Sequence, residues 1–196
     1  RMKRDVDLLI SQAESDCAEV FSGFERTERV NTARVLDAFA SRRVGARHFA
    51  PSTGYGYDDI GRDTLEDLCA DIFRAEAAIF RPSLSGGTHT LSVCLFGLLR
   101  PGDGLLIASG KPYDTLDGVI GISGQPGSLV EMGVAVRQAE LTPEGILDIP
   151  AVLHLMDTKT RVVFIQRSRG YALRPSLMPT EMAGLIRAVK AKDPEV

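Results

Sequence analysis

Apolar residues recur three and four positions apart in the first part of this chain, and later they form short runs between helical segments. Residues 5–21 carry the first such pattern, which predicts an amphipathic helix, and residues 27–39 carry a second. Residues 45–59 are rich in glycine, aromatic and polar side chains and predict a loop. A helix over Asp63–Phe73, capped by its first residue, and a short strand over 77–80 are expected to follow.

From residue 80 onward, helical patterns alternate with short apolar runs. This alternation predicts right-handed crossovers between parallel strands, and therefore a sheet covered by helices on both faces. The predicted fold class is α/β, with a three-layer, mainly parallel sheet that follows an N-terminal helical segment. Strands are expected over 104–108, 134–141 and 161–165, and helices over 90–99, 114–119, 149–156 and from Pro179 or Thr180 to 192.

Composition and charge narrow the function classes. At 196 residues, with 44% hydrophobic and 25% charged residues, the chain has an ordinary globular composition. Its net charge of -3 and its dispersed basic residues argue against a nucleic-acid partner. No apolar stretch reaches the ~18 residues of a membrane span, so we expect a soluble protein without membrane association. Cys17, Cys69 and Cys94 lack disulfide or metal spacing, which favours reduced core thiols in the cytoplasm and no metal site.

The first candidate site is the segment Ser85-Gly-Gly-Thr88, directly before the helix expected over 90–99. The first N–H groups of a helix lack intrahelical partners and lie at the positive end of its dipole, so such a terminus binds phosphate. Gly86 and Gly87 would let the backbone approach an anion or adopt a positive φ, and the hydroxyls of Ser85 and Thr88 would add donors. An ordinary N-cap with a tight turn explains the same residues, and the local pattern leaves both interpretations open.

An aromatic candidate follows at Tyr113, in a turn flanked by glycine and proline after the strand expected over 104–108. A flat ring in that turn suits a position beside the phosphate site. His89 lies in the first turn of the helix after the candidate phosphate segment, where contact with a cofactor and ordinary packing are equally open. The sequence motifs of serine hydrolases, zinc proteases, P-loop enzymes and dinucleotide-binding folds do not occur.

A second polar cluster follows the carboxyl end of the strand expected over 161–165, where open parallel sheets place their ligands. Arg167, Arg169 and Arg174 surround a Gly-Tyr turn there. Guanidinium groups offer paired donors, so these side chains predict a carboxylate or phosphate clamp. Solvated loop charges are the alternative interpretation.

Together these segments resemble the pyridoxal-phosphate enzymes of fold type I, and within them the trans-sulfuration group of cystathionine lyases and methionine γ-lyase. More narrowly, they look like the cystathionine β-lyase-like proteins named for aluminium resistance, and the match covers roughly residues 50 to 180. The motifs that carry the resemblance are Thr53–Leu65, Gly87–His89, Ser109–Leu116, and Gln166–Tyr171 with Arg174–Ser176.

The resemblance implies a carbon–sulfur lyase that performs β- or γ-elimination on a sulfur amino acid, with pyridoxal 5'-phosphate as its cofactor. It assigns Gly86, Gly87 and Thr88 to the cofactor phosphate and Tyr113 to a stack on the pyridine ring. Contacts with the small-molecule substrate are expected from residues of two loops, namely Tyr55, Arg167, Arg169, Tyr171 and Arg174.

The resemblance also implies a homodimer or homotetramer. In the trans-sulfuration enzymes a Tyr-x-Arg segment reaches across a dimer interface to the partner subunit's cofactor phosphate. Tyr57 matches the tyrosine of that segment, but Asp59 occupies the arginine position, and a carboxylate does not bind phosphate. Arg62, a few positions on, is expected to supply the positive charge instead.

The same resemblance divides the chain into an N-terminal helical segment, residues 1–50, and the first half of a cofactor-binding large domain, residues 51–196. In the family the Schiff-base lysine, and the aspartate that pairs with the pyridine nitrogen, come after the position that Val196 matches. The large domain is therefore expected to be incomplete, with no catalytic residue in this chain. Two alternatives remain: Lys111 beside Tyr113 as that lysine, or a non-catalytic phosphate-binding module that has lost it.

Overall fold

The computed structural model describes residues 2–54 and 59–196, and its residues divide into two compact units with the boundary after Ser83. The first unit extends to Ser83 and the second begins at Leu84. The division into an N-terminal segment and a cofactor-binding domain at residue 50 stays a prediction, because a geometric unit is not by itself a functional domain.

The first unit begins with one long helix, α1, over Met2–Ser41. The two separate helices predicted for this region are therefore wrong. Gly23 falls in the predicted gap, but a single glycine weakens a helix by about 1 kcal/mol without ending it. Side chains support the backbone there, because Arg26 donates to the Ser22 hydroxyl at 2.8 Å and Thr27 to the Gly23 carbonyl at 3.2 Å.

The second helix, α2, spans Ile60–Phe73, and Asp59 rather than Asp63 is its cap. The Asp59 carboxylate accepts the Arg62 N–H at 3.1 Å, which satisfies one of the free donors at the helix start. A short 3-10 helix, Ala46–Phe49, lies within the region predicted as a loop.

The strand predicted over 77–80 is wrong, since these residues form no ladder. This segment is instead held by a side chain of α2. The Phe80 N–H donates to the Glu66 carboxylate at 2.8 Å, and the neighbouring Arg81 forms an ion pair with the same carboxylate. An apolar run alone does not distinguish a strand from an extended connection.

The second unit is α/β, as predicted, with a three-stranded parallel sheet of order β2-β1-β3. Each predicted helix and strand of this unit is present, with ends that differ by a few residues. The strands are β1 Gly104–Ile107, β2 Ala135–Gln138 and β3 Thr160–Phe164, and the helices are α3 Gly87–Leu98, α4 Asp114–Ile120, α5 Ile149–Leu155 and α6 Pro179–Lys192.

Helices cover both faces of this sheet. On the central strand β1, Leu106 points into a cluster with residues of α5 and α6, whereas Leu105 and Ile107 point into a cluster with residues of α3 and α4. Alternate side chains of a strand face opposite sides, so a strand covered twice is apolar throughout. All residues of β1 are buried.

The expectation of core thiols is wrong for Cys17 in α1 and Cys94 in α3, which are both exposed, while Cys69 in α2 is half-buried. Helical spacing places a cysteine on an apolar face but does not supply an element that covers that face. Within the described ranges, no helix combines the length and apolar character required to span a membrane.

Candidate functional site

The candidate site of the second unit begins where two adjacent strands end. Ser109 follows β1 and Gln166 follows β3, and the Gln166 N–H donates to the Ser109 hydroxyl at 2.8 Å. Ser109 is only 4% exposed, so this bond replaces water contacts that the buried hydroxyl has lost. It ties together the two loops that carry Tyr113 and the arginine cluster.

The N-terminus of α3 is open. Gly86 occupies the N-cap position with φ 178 and ψ 170, an extended conformation that any residue adopts, so the positive φ considered for this segment is not used. Within the described residues no side chain caps the helix, in contrast to Asp59 at α2. A Cβ built on Gly86 or Gly87 meets no atom within 4 Å, which leaves room for an anion against the backbone.

The hydroxyl of Thr88 and the imidazole of His89, at the start of α3, already form hydrogen bonds within the protein. The Thr88 hydroxyl donates to the Thr115 hydroxyl of α4 at 3.1 Å and joins the first turns of α3 and α4. The His89 Nδ1 atom accepts the Ser85 N–H at 3.3 Å, so His89 supports the segment before the helix. Because Tyr113 is the N-cap residue of α4, these contacts place the open helix end beside the tyrosine turn.

Tyr113 is held by the loop that follows β3. Its N–H donates to the Gln166 side-chain oxygen at 3.0 Å, and its phenol donates to the Ser168 hydroxyl. A Cβ built on Gly170 would lie 2.5 Å from the Tyr113 Cε1 atom, so the ring rests directly against a glycine. Main chain, ring edge and hydroxyl of the tyrosine are thus all in contact with one loop.

A cavity of about 230 Å³ adjoins this tyrosine, and it brings several predicted site residues together. Its lining includes Lys111, Tyr113, Arg169, Tyr171 and Arg174. The Lys111 ammonium lies 3.4 Å from the Asp114 carboxylate, and the Tyr171 side chain is fully exposed.

The three arginines of this loop differ in their contacts. Arg174 donates to the carbonyls of Pro175 and Ser168 at 2.9 and 3.2 Å, and Arg169 donates to the Arg174 carbonyl at 3.2 Å. Arg167 is exposed, and within the described part of the chain its guanidinium is not engaged. Two of the arginines therefore brace the loop, and their assignment to a substrate carboxylate stays a prediction.

The first unit holds the remaining predicted residues. Tyr55 and Tyr57 lie outside the described residues. The Arg62 guanidinium pairs with Asp63 at 3.1 Å. Ser52 donates to the Asp59 carboxylate at 2.6 Å, and this bond, with the Arg62 N–H bond, lowers the pKa of Asp59.

Arg62 and Asp59 also line a cavity of about 510 Å³, together with His48, Phe49 and Ser52. This cavity belongs to the first unit, whereas the group of residues around Tyr113 belongs to the second unit.

Sequence reasoning quoted Ser109, Gln166, Ser168 and Gly170 within motifs but gave none of them a role. Two features point to three of these residues. Ser109 and Gln166 lie just beyond the ends of adjacent strands, and the carboxyl edge of a parallel sheet is where ligands lie. Gly170 has a φ of +58, a left-handed conformation that favours glycine and marks a constrained turn.

Comparison with known proteins identifies close relatives over nearly the whole chain. The family model described as methionine gamma-lyase matches residues 6–196. The uncharacterized protein YnbB of Bacillus subtilis (strain 168) is 46% identical over 181 residues, which is 91% of this chain and 43% of that protein.

Solved structures of similar sequence share the fold. A candidate cystathionine beta-lyase involved in aluminum resistance, from Listeria innocua, superposes with a TM-score of 0.93 at 42% identity, over 97% of this chain and 47% of that one. A carbon–sulfur lyase involved in aluminum resistance, from Clostridium novyi NT, gives a TM-score of 0.92 at 36% identity, over 98% and 46%. The chain therefore spans about half the length of the proteins it matches.

Proposed function

Because the chain belongs to the methionine gamma-lyase family, we propose that it is the amino-terminal half of a fold-type-I, pyridoxal-phosphate-dependent carbon–sulfur lyase acting on a sulfur amino acid. The names of two similar proteins, a carbon–sulfur lyase and a candidate cystathionine beta-lyase, support this chemistry. The observation that carries the proposal is the open N-terminus of α3 beside the turn that holds Tyr113.

The residues at this helix end fit a phosphate group. The main-chain N–H groups of Gly87, Thr88 and His89 are the first of the helix and would donate to phosphate oxygens, which the helix dipole also attracts. The Thr88 hydroxyl proton is used by Thr115, so its main-chain N–H is the donor that remains. No charged side chain is required for this mode of binding.

Pyridoxal phosphate, when bound, supplies an electron sink for a substrate carbanion, and the protein supplies orientation and electrostatics. The Tyr113 ring would pack against the cofactor ring and fix its tilt. Arg169 and Arg174 line the cavity beside Tyr113 and are the arginines of the loop that would meet a substrate carboxylate there, in addition to the backbone carbonyls to which they donate.

Replacing Gly87 by Val in the full-length protein tests the phosphate assignment. The branched side chain would fill the space that an anion needs, and we expect affinity for pyridoxal phosphate to fall by about 10- to 100-fold, equivalent to ~1.4 to 2.8 kcal/mol. Absorbance titration measures the affinity, and urea unfolding measures stability.

Gly97→Val is the matched control for this experiment. Gly97 lies in the same helix, and its Cβ also meets no atom within 4 Å, so both variants place a branched residue in open space. Equal cofactor affinity in the two folded variants would show that the Gly86–Thr88 segment is only a helix start.

We extend the proposal to assembly: two copies of the full-length protein would complete each other's sites, with the segment that includes Tyr57 and Arg62 reaching the partner's cofactor phosphate. An isologous dimer interface makes such exchange reciprocal. If Arg62→Ala and Gly87→Val are each inactive, a mixture of the two should regain part of the activity, because one hybrid site contains only intact residues.

Asp63→Asn is the control for Arg62, since it removes the ion-pair partner and keeps the positive charge. No recovery in the mixture despite proven subunit exchange would show that Arg62 serves its own chain or no site.

A non-catalytic phosphate-binding module stays the alternative function. Lys111 makes it testable because this residue lines the cavity beside Tyr113. If the 196-residue chain is the whole protein, we expect weak binding of pyridoxal phosphate that is lost on dialysis. A covalent cofactor band that survives dialysis and disappears in Lys111→Ala would instead make Lys111 the lysine that holds the cofactor.

A further inference from the structure

The loop after β3 contacts Tyr113 at three different parts of the residue. Gln166 accepts the tyrosine N–H at 3.0 Å, Ser168 accepts the phenol proton, and Gly170 lies against the ring edge. A tyrosine side chain has two rotatable bonds, so fixing its main chain, one ring edge and its hydroxyl leaves it a single orientation.

Hydrogen bonds within the loop and to Ser109 hold the loop in place, so it is a rigid support for Tyr113. The Gln166 N–H is anchored on the buried Ser109 hydroxyl at 2.8 Å, and the Gln166 amide nitrogen donates to the Ser168 carbonyl at 3.1 Å. The Arg174 guanidinium donates to the same carbonyl at 3.2 Å. The Gly170 N–H also approaches the Ser168 hydroxyl at 3.5 Å, so the group that receives the phenol proton is itself held.

Gly170 is required at its position for two separate reasons. Its φ of +58 is a conformation that costs other residues free energy, and a Cβ there would lie 2.5 Å from Cε1 and 3.1 Å from Cδ1 of Tyr113. The absence of a side chain at residue 170 therefore decides where the tyrosine ring can lie.

We infer that Gln166, Ser168 and Gly170 are positioning residues that hold the Tyr113 ring in one orientation for a flat ligand stacked upon it. The orientation itself follows from the contacts of this chain, whereas the ligand, the pyridine ring of the cofactor, rests on the proposed function. Offset stacking depends on ring tilt and separation, so a displaced tyrosine would bind the same ligand less well.

Gly170→Ala in the full-length protein tests this inference, with Gly127→Ala as its matched control. Gly127 also has a positive φ, +74, but its Cβ meets no atom within 4 Å. The two variants therefore share the backbone strain of a left-handed alanine, and Gly170→Ala alone pushes on the Tyr113 ring.

The first measurement uses the cofactor-free protein labelled with ¹³C in its tyrosine rings, where loss of one signal in Tyr113→Phe identifies Tyr113. We expect the Tyr113 signal to move in Gly170→Ala and to stay in place in Gly127→Ala. An unmoved signal in folded Gly170→Ala would overturn the inference, whatever the protein binds.

Ser168→Ala gives an independent result if Gly170→Ala does not fold. It removes only the hydroxyl that meets the phenol, and Ser123→Ala is its control, because the exposed Ser123 hydroxyl donates to Asp117 at 2.6 Å, away from the tyrosine. The inference requires the Tyr113 signal to move in Ser168→Ala and not in Ser123→Ala.

The second measurement titrates pyridoxal phosphate into the same variants. We expect about tenfold weaker binding in Gly170→Ala than in Gly127→Ala, the factor that a loss of ~1.4 kcal/mol produces. A moved Tyr113 signal with unchanged affinity would overturn the role of the ring in cofactor binding. If the unaltered protein binds no pyridoxal phosphate, the proposed function fails, and the tyrosine signal still decides whether this loop orients Tyr113.

Discussion

The two compact units bury their apolar residues very differently. In the first unit, the buried apolar side chains of the described residues are Ala38, Leu68 and Ala70. In the second unit, β1 is buried along its whole length between clusters on both faces. The difference shows that two regions with equally clear apolar patterns reach different levels of burial.

The long helix α1 makes the contrast plain. Its apolar residues follow helical spacing, yet Leu9 is 70% exposed and Phe24 65% exposed. Directly after α1, Arg42 forms ion pairs with Asp67 and Asp71 of α2. A surface of this kind contributes little to the stability of the described chain, because burial supplies most of the hydrophobic free energy.

Leu106→Ala is expected to have the largest effect on the stability of the 196-residue chain. Leu106 is 1% exposed in the cluster against α5 and α6, so truncation removes buried methyl groups and leaves a cavity. We expect a loss of about 2 to 5 kcal/mol in the free energy of unfolding, measured by urea titration.

Leu9→Ala is the same chemical change on exposed α1, and it should alter the free energy of unfolding by no more than ~0.5 kcal/mol. A cost for Leu9→Ala that approaches the cost for Leu106→Ala would remove the contrast between the units, because it would show that the apolar face of α1 is covered in solution.

The fold of the second unit could be predicted from the sequence because pattern and burial agree there. Strand runs such as 104–107 are short and apolar and have glycines nearby, a pattern typical of a strand covered on both faces. In the first unit the same reasoning divided α1 between residues 21 and 27 and placed a strand over 77–80. The first error arises because a single glycine weakens a helix without ending it, and the second because an apolar run does not reveal which contacts the chain makes at a distance.

The candidate site could be predicted in part. The sequence indicated Gly86, Gly87 and Tyr113, and the structure brings the open helix end and the tyrosine turn together, although their roles stay predictions. The sequence did not indicate that Arg174 donates to backbone carbonyls or that Gly170 supports the tyrosine ring. Such contacts depend on loop geometry, and residue type alone does not determine them.

The smallest expected effect compares one exposed ion pair in each unit. Asp157 contacts Arg137 of β2 and also accepts the Lys159 N–H at 3.0 Å, whereas Asp71 bonds Arg42 at 2.6 Å. The arginine hydrogen bond is the largest cause in both cases and lowers the pKa of each carboxyl group below its ordinary value of 3.8. The shift is larger at Asp157, where backbone and hydroxyl donors add to the arginine.

These directions fix the pH dependence of Asp157→Asn and Asp71→Asn. A carboxyl group whose pKa is lower in the folded state stabilises that state above its unfolded pKa, and the contribution disappears as the pH falls through the folded pKa. Each variant should therefore be less stable than the parent at neutral pH, with a difference that shrinks as the pH falls below 3.8. Exposed pairs are weak, so we expect small differences, the larger for Asp157→Asn. Urea unfolding at a series of pH values measures them, and a difference for Asp157→Asn that is independent of pH would show that the Arg137 pair does not form in solution.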